Sequence, residues 1–541
     1  MLVADHWNFA DLFETVCDTV PDREAVVCED RRLTFAELDE RATRLAHHLA
    51  AGGVTTGDHV GIYAYNCTEW IEAMFAAWKI RAVPINVNYR YVETELRYLF
   101  DNADLVGLVH GREFVDHIAV VRDDCPKLKV LVAIDDGTDA DLAKIGAVEY
   151  EAALAAASPT RDFAPRSPDD QYVLYTGGTT GMPKGVMWRQ TDFFNATIGP
   201  LLTTGGEPYT STAEVVDAAK AGGDAVAYPL APLMHGAAQW VVMMLVLQGN
   251  KVVLSSQRRL DPIAVWRTIE REKVMSVSLV GDAMARPLIE AVDDPALAGV
   301  DTSGLFVIGS GGAILSPAVK DAITERFPNM LVIDSLGASE TGYQGSVAGS
   351  DSEGRPRFVM GDHTIVLDED GAPVEPGSGV IGRLGRRGYV PVGYYKDPEK
   401  TAETFVEIDG ERWAFPGDMA RVESDGTITL LGRGSVSINS GGEKIFPEEV
   451  ELALKSHPDV FDVLVVGVPD ERWGERVTAV VKTRGSETLT AEDLAKHARS
   501  TIAAYKVPRG LVLVNEVVRS PSGKADYRWA KTTALEADSA T

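Results

Sequence analysis

The chain has 541 residues, 45% hydrophobic and 24% charged, which excludes a disordered protein and calls for more than one domain. Its 80 acidic and 52 basic residues give a formal charge of −28, a field that repels nucleic acid and anionic lipid at long range. A polyanionic ligand must therefore be held by a local cluster of donors, which points to a small phosphorylated molecule in a dedicated site.

The N-terminal stretch MLVADHWNFADLFE lacks the basic start and apolar run of a signal peptide. The four cysteines, Cys17, Cys28, Cys67 and Cys125, form no CxxC pair and read as reduced thiols. In chain order, Thr34 and Glu37 form a capping box before a helix over Ala36–Ala50. Strand-like runs follow at Val60–Tyr63 and Leu105–Val109, with an amphipathic segment Trp70–Ile80 between them. Further runs stand at Tyr172–Tyr175, Val252–Leu254, Val274–Val280, Leu305–Ile308 and Leu331–Ile333. Strands alternating with helices predict an α/β fold with mostly parallel sheets covered by helices. Thr203 to Ala225 interrupts the rhythm as a surface excursion, with a short helix at Ala213–Ala221. The apolar Trp240–Leu247 is too short to span a bilayer and reads as a core helix, so a soluble cytoplasmic protein without an integral membrane segment is expected.

Near Gly432 the texture changes to a Gly/Ser-rich run, after which Pro447 opens a helix with Glu448 and Glu449 in its first turn. Strands at Val463–Val468 and Val477–Lys482, a helix near Glu492–Ala504 and a strand at Leu511–Val518 complete a small α+β domain. The expected division is a large domain over 1–434 and a small, mobile one over 435–541, whose last residues, Glu536 to Thr541, read as a frayed polar end.

The most informative segment is YTGGTTGMPKG, Tyr175 to Gly185, directly after a strand. Its glycines let the backbone approach a ligand and turn N–H groups inward, its threonines add hydroxyls, and Lys184 adds a cation. That set suits a di- or triphosphate. It is no Walker A loop, because Lys184 lies between Pro183 and Gly185 rather than before Ser or Thr at a helix start.

YTGGTTGMPKG resembles the phosphate-binding signature of the acyl-adenylate-forming superfamily. The other motifs of that family follow in order: APLMHG at Ala231–Gly236, SGGA at Ser310–Ala313, LGASETG at Leu336–Gly342 and PGD at Pro416–Asp418, then GRGSVSINSGGEKIFPEEVE and RSPSGKADYR. The resemblance covers nearly the whole chain and implies an ATP-dependent acid–CoA ligase that forms acyl-AMP and then a thioester, using ATP, Mg²⁺ and coenzyme A. It assigns Thr176, Gly177, Gly178, Thr179, Thr180, Gly181 and Lys184 to the phosphates. Gly311, Gly312, Ala313, Asp334, Ser335, Leu336 and Gly337 fall to the nucleotide, with Leu336 standing where the family often has an adenine-stacking Tyr. It assigns Ser339 to the α-phosphate, Glu340 to Mg²⁺, and Asp418 and Arg433 to the ribose. Lys524 becomes the catalytic lysine, and Gly441, Gly442 and Lys444 approach CoA. Charge neutralisation should dominate such chemistry, since it joins two anions.

The hinge position of the family falls on Ser435, where Asp or Lys is usual. Acyl-pocket walls fall on His235, Gln239, Gly281, Asp282, Gly309 and Gly337, and their small or uncharged character suggests a bulky apolar acid. Segments such as NVNYRYVETELRYLFDNAD and GDAMARPL resemble actinobacterial acyl-CoA synthetases acting on sterol side-chain acids such as 3-oxocholest-4-en-26-oate. A medium- or long-chain fatty acid is the alternative substrate, and a non-catalytic nucleotide sensor the alternative class. The expected partners are the acid, ATP and CoA, with no nucleic acid; a homodimer would be unsurprising.

Overall fold

The computed structural model describes residues 7–177, 182–203, 207–313, 315–350, 356–440, 443–485, 489–519 and 524–539. Gly178, Thr179, Thr180, Gly181, Gly441 and Gly442 lie outside these residues. The chain divides into two units: Met1–Leu279, Ala291–Ile308 and Tyr389–Glu403 form the first, and Val280–Glu290, Gly309–Gly388 and Thr404–Thr541 the second.

The first unit has the α/β character expected. One sheet is wholly parallel, its strands Val83–Asn86, His59–Tyr63, Leu105–Gly111, Val130–Ile134 and Val148–Glu149 lying in that spatial order. A second sheet runs Glu24–Cys28, Lys251–Leu254, Val226–Pro229 and Ser276–Leu279, again parallel, with Arg31–Thr34 added antiparallel at one edge. The Thr34–Glu37 capping box opens the Phe35–Ala51 helix as its sequence demands. Thr212–Ala221 is helical, but it is no loose excursion: Val215 and Ala219 are buried, and the Arg23 guanidinium donates to the carbonyls of Ala219 and Lys220 at 2.7 and 2.9 Å.

The second unit holds what the strand patterns did not announce, a largely antiparallel sheet running from Leu331–Ala338 through Gly342–Ser350, Pro356–Phe358, Ile428–Arg433, Asp418–Val422 and Ile381–Arg387. Leu336, Phe358, Val366, Leu384, Val422 and Ile428 form its core. Farther along, Val460–Asp470 pairs antiparallel with Gly474–Thr483, and Gly510–Leu513 joins in parallel, ending well short of Val518. The Pro447–Lys455 and Ala491–Ala498 helices cover one face of this sheet through Val450, Leu454 and Leu494. The chain end is not frayed through Ser539. Tyr527–Ser539 is a helix because Ala530 and Ala534 bury against Leu464, Val466 and Val480.

Candidate functional site

In the first unit, the strands Gln171–Thr176 and Lys184–Arg189 form an antiparallel hairpin in which Thr176 faces Lys184, and the glycine-rich segment joins them. The chain re-enters a strand, not a helix, which agrees with the rejection of a Walker A loop. Gly185 is needed here: a Cβ would stand 2.7 Å from the Tyr175 ring. Lys184 Nζ pairs with Asp397 Oδ2 at 2.5 Å and lies over the Tyr394 ring. Asp397, in the segment GYYKDPEKTAETF, had no role assigned from sequence.

Two asparagines also escaped the sequence reading. Asn86 brackets the base of the hairpin, accepting from Tyr175 N–H at 2.8 Å and donating to the carbonyls of Tyr175 and Met234 at 2.8 and 2.7 Å. Asn66 accepts from Leu233 N–H at 2.7 Å and donates to Ala231 O at 3.3 Å. Together they fasten Ala231–Gly236 beside the start of the glycine-rich segment. The Asn86→Ala variant should lose about 1–3 kcal/mol for each buried group left unmatched. A chemical-denaturation midpoint should fall accordingly, and the KM for ATP should rise. An unchanged midpoint would remove Asn86 from this role.

His235 is the half-buried N-cap of the Gly236–Leu247 helix. Gln239 is buried and its amide is occupied internally: Tyr172 Oη–H donates to its Oε1, and its Nε2 donates to Leu233 O, both at 2.8 Å.

In the second unit, Ser339, Glu340 and Thr341 turn the hairpin between Leu331–Ala338 and Gly342–Ser350. The turn is held by Thr341 N–H to Ala338 O and by Ala338 N–H to Thr341 Oγ1, both 3.1 Å. Gly337 is required by this turn, for a Cβ would meet Gly342 O at 2.6 Å. Leu336 packs in the sheet core and is 9% exposed.

The Ser310–Ala313 turn is pinned by Ser310, whose hydroxyl donates to Ala313 O at 2.7 Å and accepts from Gly281 N–H at 2.9 Å. Gly309 and Gly311 lie on its strand, Val307–Gly311. Gly312 has φ +83°, and a Cβ there would stand 3.2 Å from Lys524 Cε. Lys524 is an exposed residue, yet desolvation, and next the charge of Arg433, lowers its proton affinity; Glu340 and Asp418 pull the other way. Lys524 is therefore electrostatically joined to Glu340, Asp418 and Arg433.

Asp418 and Arg433 face each other across antiparallel strands, with Arg433 Nε donating to Asp418 Oδ1 at 3.1 Å and Arg433 Nη1 donating to Pro416 O at 3.3 Å. Asp334 is 2% exposed; it accepts from Leu315 N–H at 3.2 Å and pairs with Lys320 at 2.5 Å. Burial pushes its carboxyl up, against the pull of Lys320. Ser335 shares its strand. Asp282, assigned from sequence to the acyl wall, accepts from Ser316 N–H at 2.8 Å and neighbours Arg286 and Lys455 at 3.5 and 3.8 Å. Ser435 is exposed in the short 3₁₀ turn Gly434–Val436, and Lys444 is exposed on Glu443–Ile445.

Glu448 is a further titratable group beside Arg433. A Cβ on Gly432 would stand 2.3 Å from its Oε2, so glycine makes room for it. Burial, then the neighbouring Glu451 and Asp418, raise its pKa to about 8 from the ordinary 4.5, although it accepts from Arg433 N–H. The folded state thus holds a proton that the unfolded chain releases above about 4.5. Its contribution to stability is full below 4.5 and is lost as pH rises toward about 8. Denaturation across this window should show a steeper fall for the native chain than for Glu448→Gln; parallel curves would refute the assignment.

The model of the AMP-binding enzyme family matches residues 13–395, and that of the AMP-binding enzyme C-terminal domain matches 449–524. Over 530 residues, covering 97% of this chain and 95% of the relative, the chain is 50% identical to a 3-oxocholest-4-en-26-oate–CoA ligase of Rhodococcus rhodochrous. It is 51% identical over 542 residues to a medium/long-chain-fatty-acid–CoA/3-oxocholest-4-en-26-oate–CoA ligase of Mycobacterium marinum, covering 98% of each. Among solved structures, an anthranilate CoA ligase in complex with anthranoyl-AMP superposes with a TM-score of 0.83 at 23% identity over 98% of both chains. ATP-bound MatB from Rhodopseudomonas palustris gives 0.79 at 24% identity, over 97% of this chain and 98% of that one. Matched by both family models and aligned with these relatives along nearly all of its length, the chain belongs to the AMP-binding enzyme family.

Proposed function

We propose that the chain is an ATP-dependent acid–CoA ligase of the AMP-forming kind. A carboxylate attacks the α-phosphate of ATP to give acyl-AMP and pyrophosphate, and the CoA thiol then displaces AMP to give the thioester. The observation that carries the reading is the grouping of Lys524 with Gly312, Glu340, Asp418 and Arg433. A cation in the field of two carboxylates can serve the phosphate charge that develops during adenylation.

In this reading Thr176 to Lys184 take the phosphates, Ser339 the α-phosphate, Asp418 and Arg433 the ribose, and His235 stands at the acyl entrance. Among the described residues no three His, Cys, Asp or Glu side chains gather into a metal-binding set. A single oxygen ligand such as Glu340 fits a Mg²⁺ that takes its remaining ligands from phosphate and water, where it neutralises phosphate charge. The small domain over 435–541 turns near Gly434–Ser435 between the half-reactions, bringing Gly441, Gly442 and Lys444 toward CoA.

The acid is a sterol side-chain carboxylate of the 3-oxocholest-4-en-26-oate type. Its support is the specificity in the names of relatives at about half identity over nearly the whole chain. A medium- or long-chain fatty acid is the second reading, favoured by the dual specificity in the name of the mycobacterial relative. Among the described residues no helix is long and apolar enough to cross a membrane, and all four cysteines are unpaired, which fits a reducing cytoplasm.

The test is mass spectrometry of products after mixing the protein, ATP, Mg²⁺ and CoA with acids from acetate to sterol side-chain acids. Acyl-CoA with AMP is expected, and the sterol acid should give the highest kcat/KM. A preference for acetate or benzoate would refute the bulky-acid reading. Binding of ATP without turnover of any acid would replace the ligase with a sensor.

A further inference from the structure

In the ligase reading Lys524 acts at the nucleotide, and residues on both sides of it in sequence carry buried polar contacts.

Arg519, five residues ahead of Lys524, forms a bidentate pair with Asp462: Nε to Oδ2 at 2.7 Å and Nη2 to Oδ1 at 2.6 Å. Asp462 is 9% exposed and also accepts from Val463 N–H at 2.9 Å, so its carboxylate is fixed to the Val460–Asp470 strand. Arg519 and Ala525 form an antiparallel bridge. On the far side, Tyr527 donates its hydroxyl to Glu451. Glu451 is 6% exposed and accepts from Val465 N–H at 2.9 Å, which ties it to that same strand. Ala525 and Tyr527 also pack against Leu464, Val466 and Val480. The strand therefore holds the chain both before and after Lys524, through two carboxylates that touch neither Lys524 nor the nucleotide residues in any of the contacts described above.

We propose that Asp462 and Glu451 are positioning residues for Lys524: they clamp the two flanks of its segment and so fix where the ammonium stands. A bidentate arginine pair sets direction as well as distance. The ammonium sits at the end of a flexible four-carbon stem, so where its backbone is anchored helps set what it can reach. A misplacement of about 1 Å from a distant change can cost about 10²-fold in rate.

The inference rests on the ligase reading, because it needs Lys524 to act in adenylation. Asp462→Asn, Glu451→Gln and the milder Tyr527→Phe would each be made in the full chain, with and without Lys524→Ala. Acyl-AMP formation would be followed by pyrophosphate release, and thioester formation would be started from synthetic acyl-AMP. Each single variant should lose about 10- to 10²-fold in kcat for acyl-AMP formation, Tyr527→Phe least, with the KM for ATP little changed. Thioester formation should be nearly unaffected, and on the Lys524→Ala background no further loss should appear.

Equal loss in both half-reactions, or the same loss on the Lys524→Ala background, would overturn the clamp and leave Asp462 and Glu451 as mere fold-keepers. Full activity in all three variants would overturn it as well. If Lys524→Ala itself adenylates normally, the assignment of Lys524 fails first, and that result is separable from failure of the clamp.

Discussion

Lys524→Ala is expected to slow acyl-AMP formation by about 10²–10³-fold, the loss typical of one preorganised charge partner. Attack of a carboxylate on the α-phosphate gathers negative charge around one phosphorus, and no proton transfer relieves it. A cation must be waiting there. Lys524 meets this need because it stands beside Gly312 and within the field of Arg433, Glu340 and Asp418. Thioester formation from synthetic acyl-AMP does not build the same charge, so that half-reaction should be nearly intact. Pre-steady-state measurement of each step is the check. Equal losses would show that Lys524 supports the fold or general binding, not the first chemical step.

Lys79→Met should be the most damaging single change to stability, with a loss of about 3–5 kcal/mol. Lys79 is fully buried, and its Nζ pairs with Glu14 Oε1 at 2.6 Å and Asp39 Oδ1 at 2.7 Å. Methionine keeps the volume and the packing on Phe13 but leaves two enclosed carboxylates short of a cation. Arg166 still holds Glu14 at 2.8 Å and Arg161 still holds Asp39 at 2.7 Å, which favours the lower part of the range. Lys127→Ala is the control, since its pair with Asp104 involves a side chain 63% exposed. It should leave the unfolding midpoint nearly unchanged, because the pair is exposed to solvent and screened. Urea unfolding would separate the two, and similar midpoints would mean that the buried triad carries no special weight.

Much of the fold was legible because its signals are local. Thr34 and Glu37 are three residues apart, and their reciprocal cap needs nothing beyond the first turn of the helix. The Tyr172–Tyr175 run reads as a strand because a buried parallel or hairpin strand must be apolar on both faces. The antiparallel sheet from Leu331 to Arg433 was less visible, since short strands rich in glycine and charge show no long apolar run. The Tyr527–Ser539 helix was missed at its end because Ala530 and Ala534 carry little hydrophobic signal until a partner sheet buries them.

The candidate site divides in the same way. Thr176, Lys184, Glu340, Asp418, Arg433 and Lys524 stood out from the motifs that carry them. Other residues changed meaning once their neighbours were known: Leu336 fills a core, Gln239 satisfies Tyr172 and Leu233, and Asp282 and Asp334 hold backbone amides and basic side chains. Asn86 and Asn66 could not be read at all from composition or spacing. Their value lies in hydrogen bonds to residues far along the chain.

The sequence by itself determined the chemistry this protein presents: a glycine- and threonine-rich phosphate segment, one lysine in Ser-Gly-Lys, and carboxylates within short motifs. These depend on residue type and close spacing, which a linear chain carries intact. Only the tertiary structure decided which carboxylates remain available and which are already engaged. It also paired Asp462 with Arg519 and Glu451 with Tyr527, on either side of Lys524 in sequence. Burial and pairing are properties of distant contacts, and the same Asp or Glu is a ligand when solvated and open but a structural brace once a buried amide or guanidinium claims it.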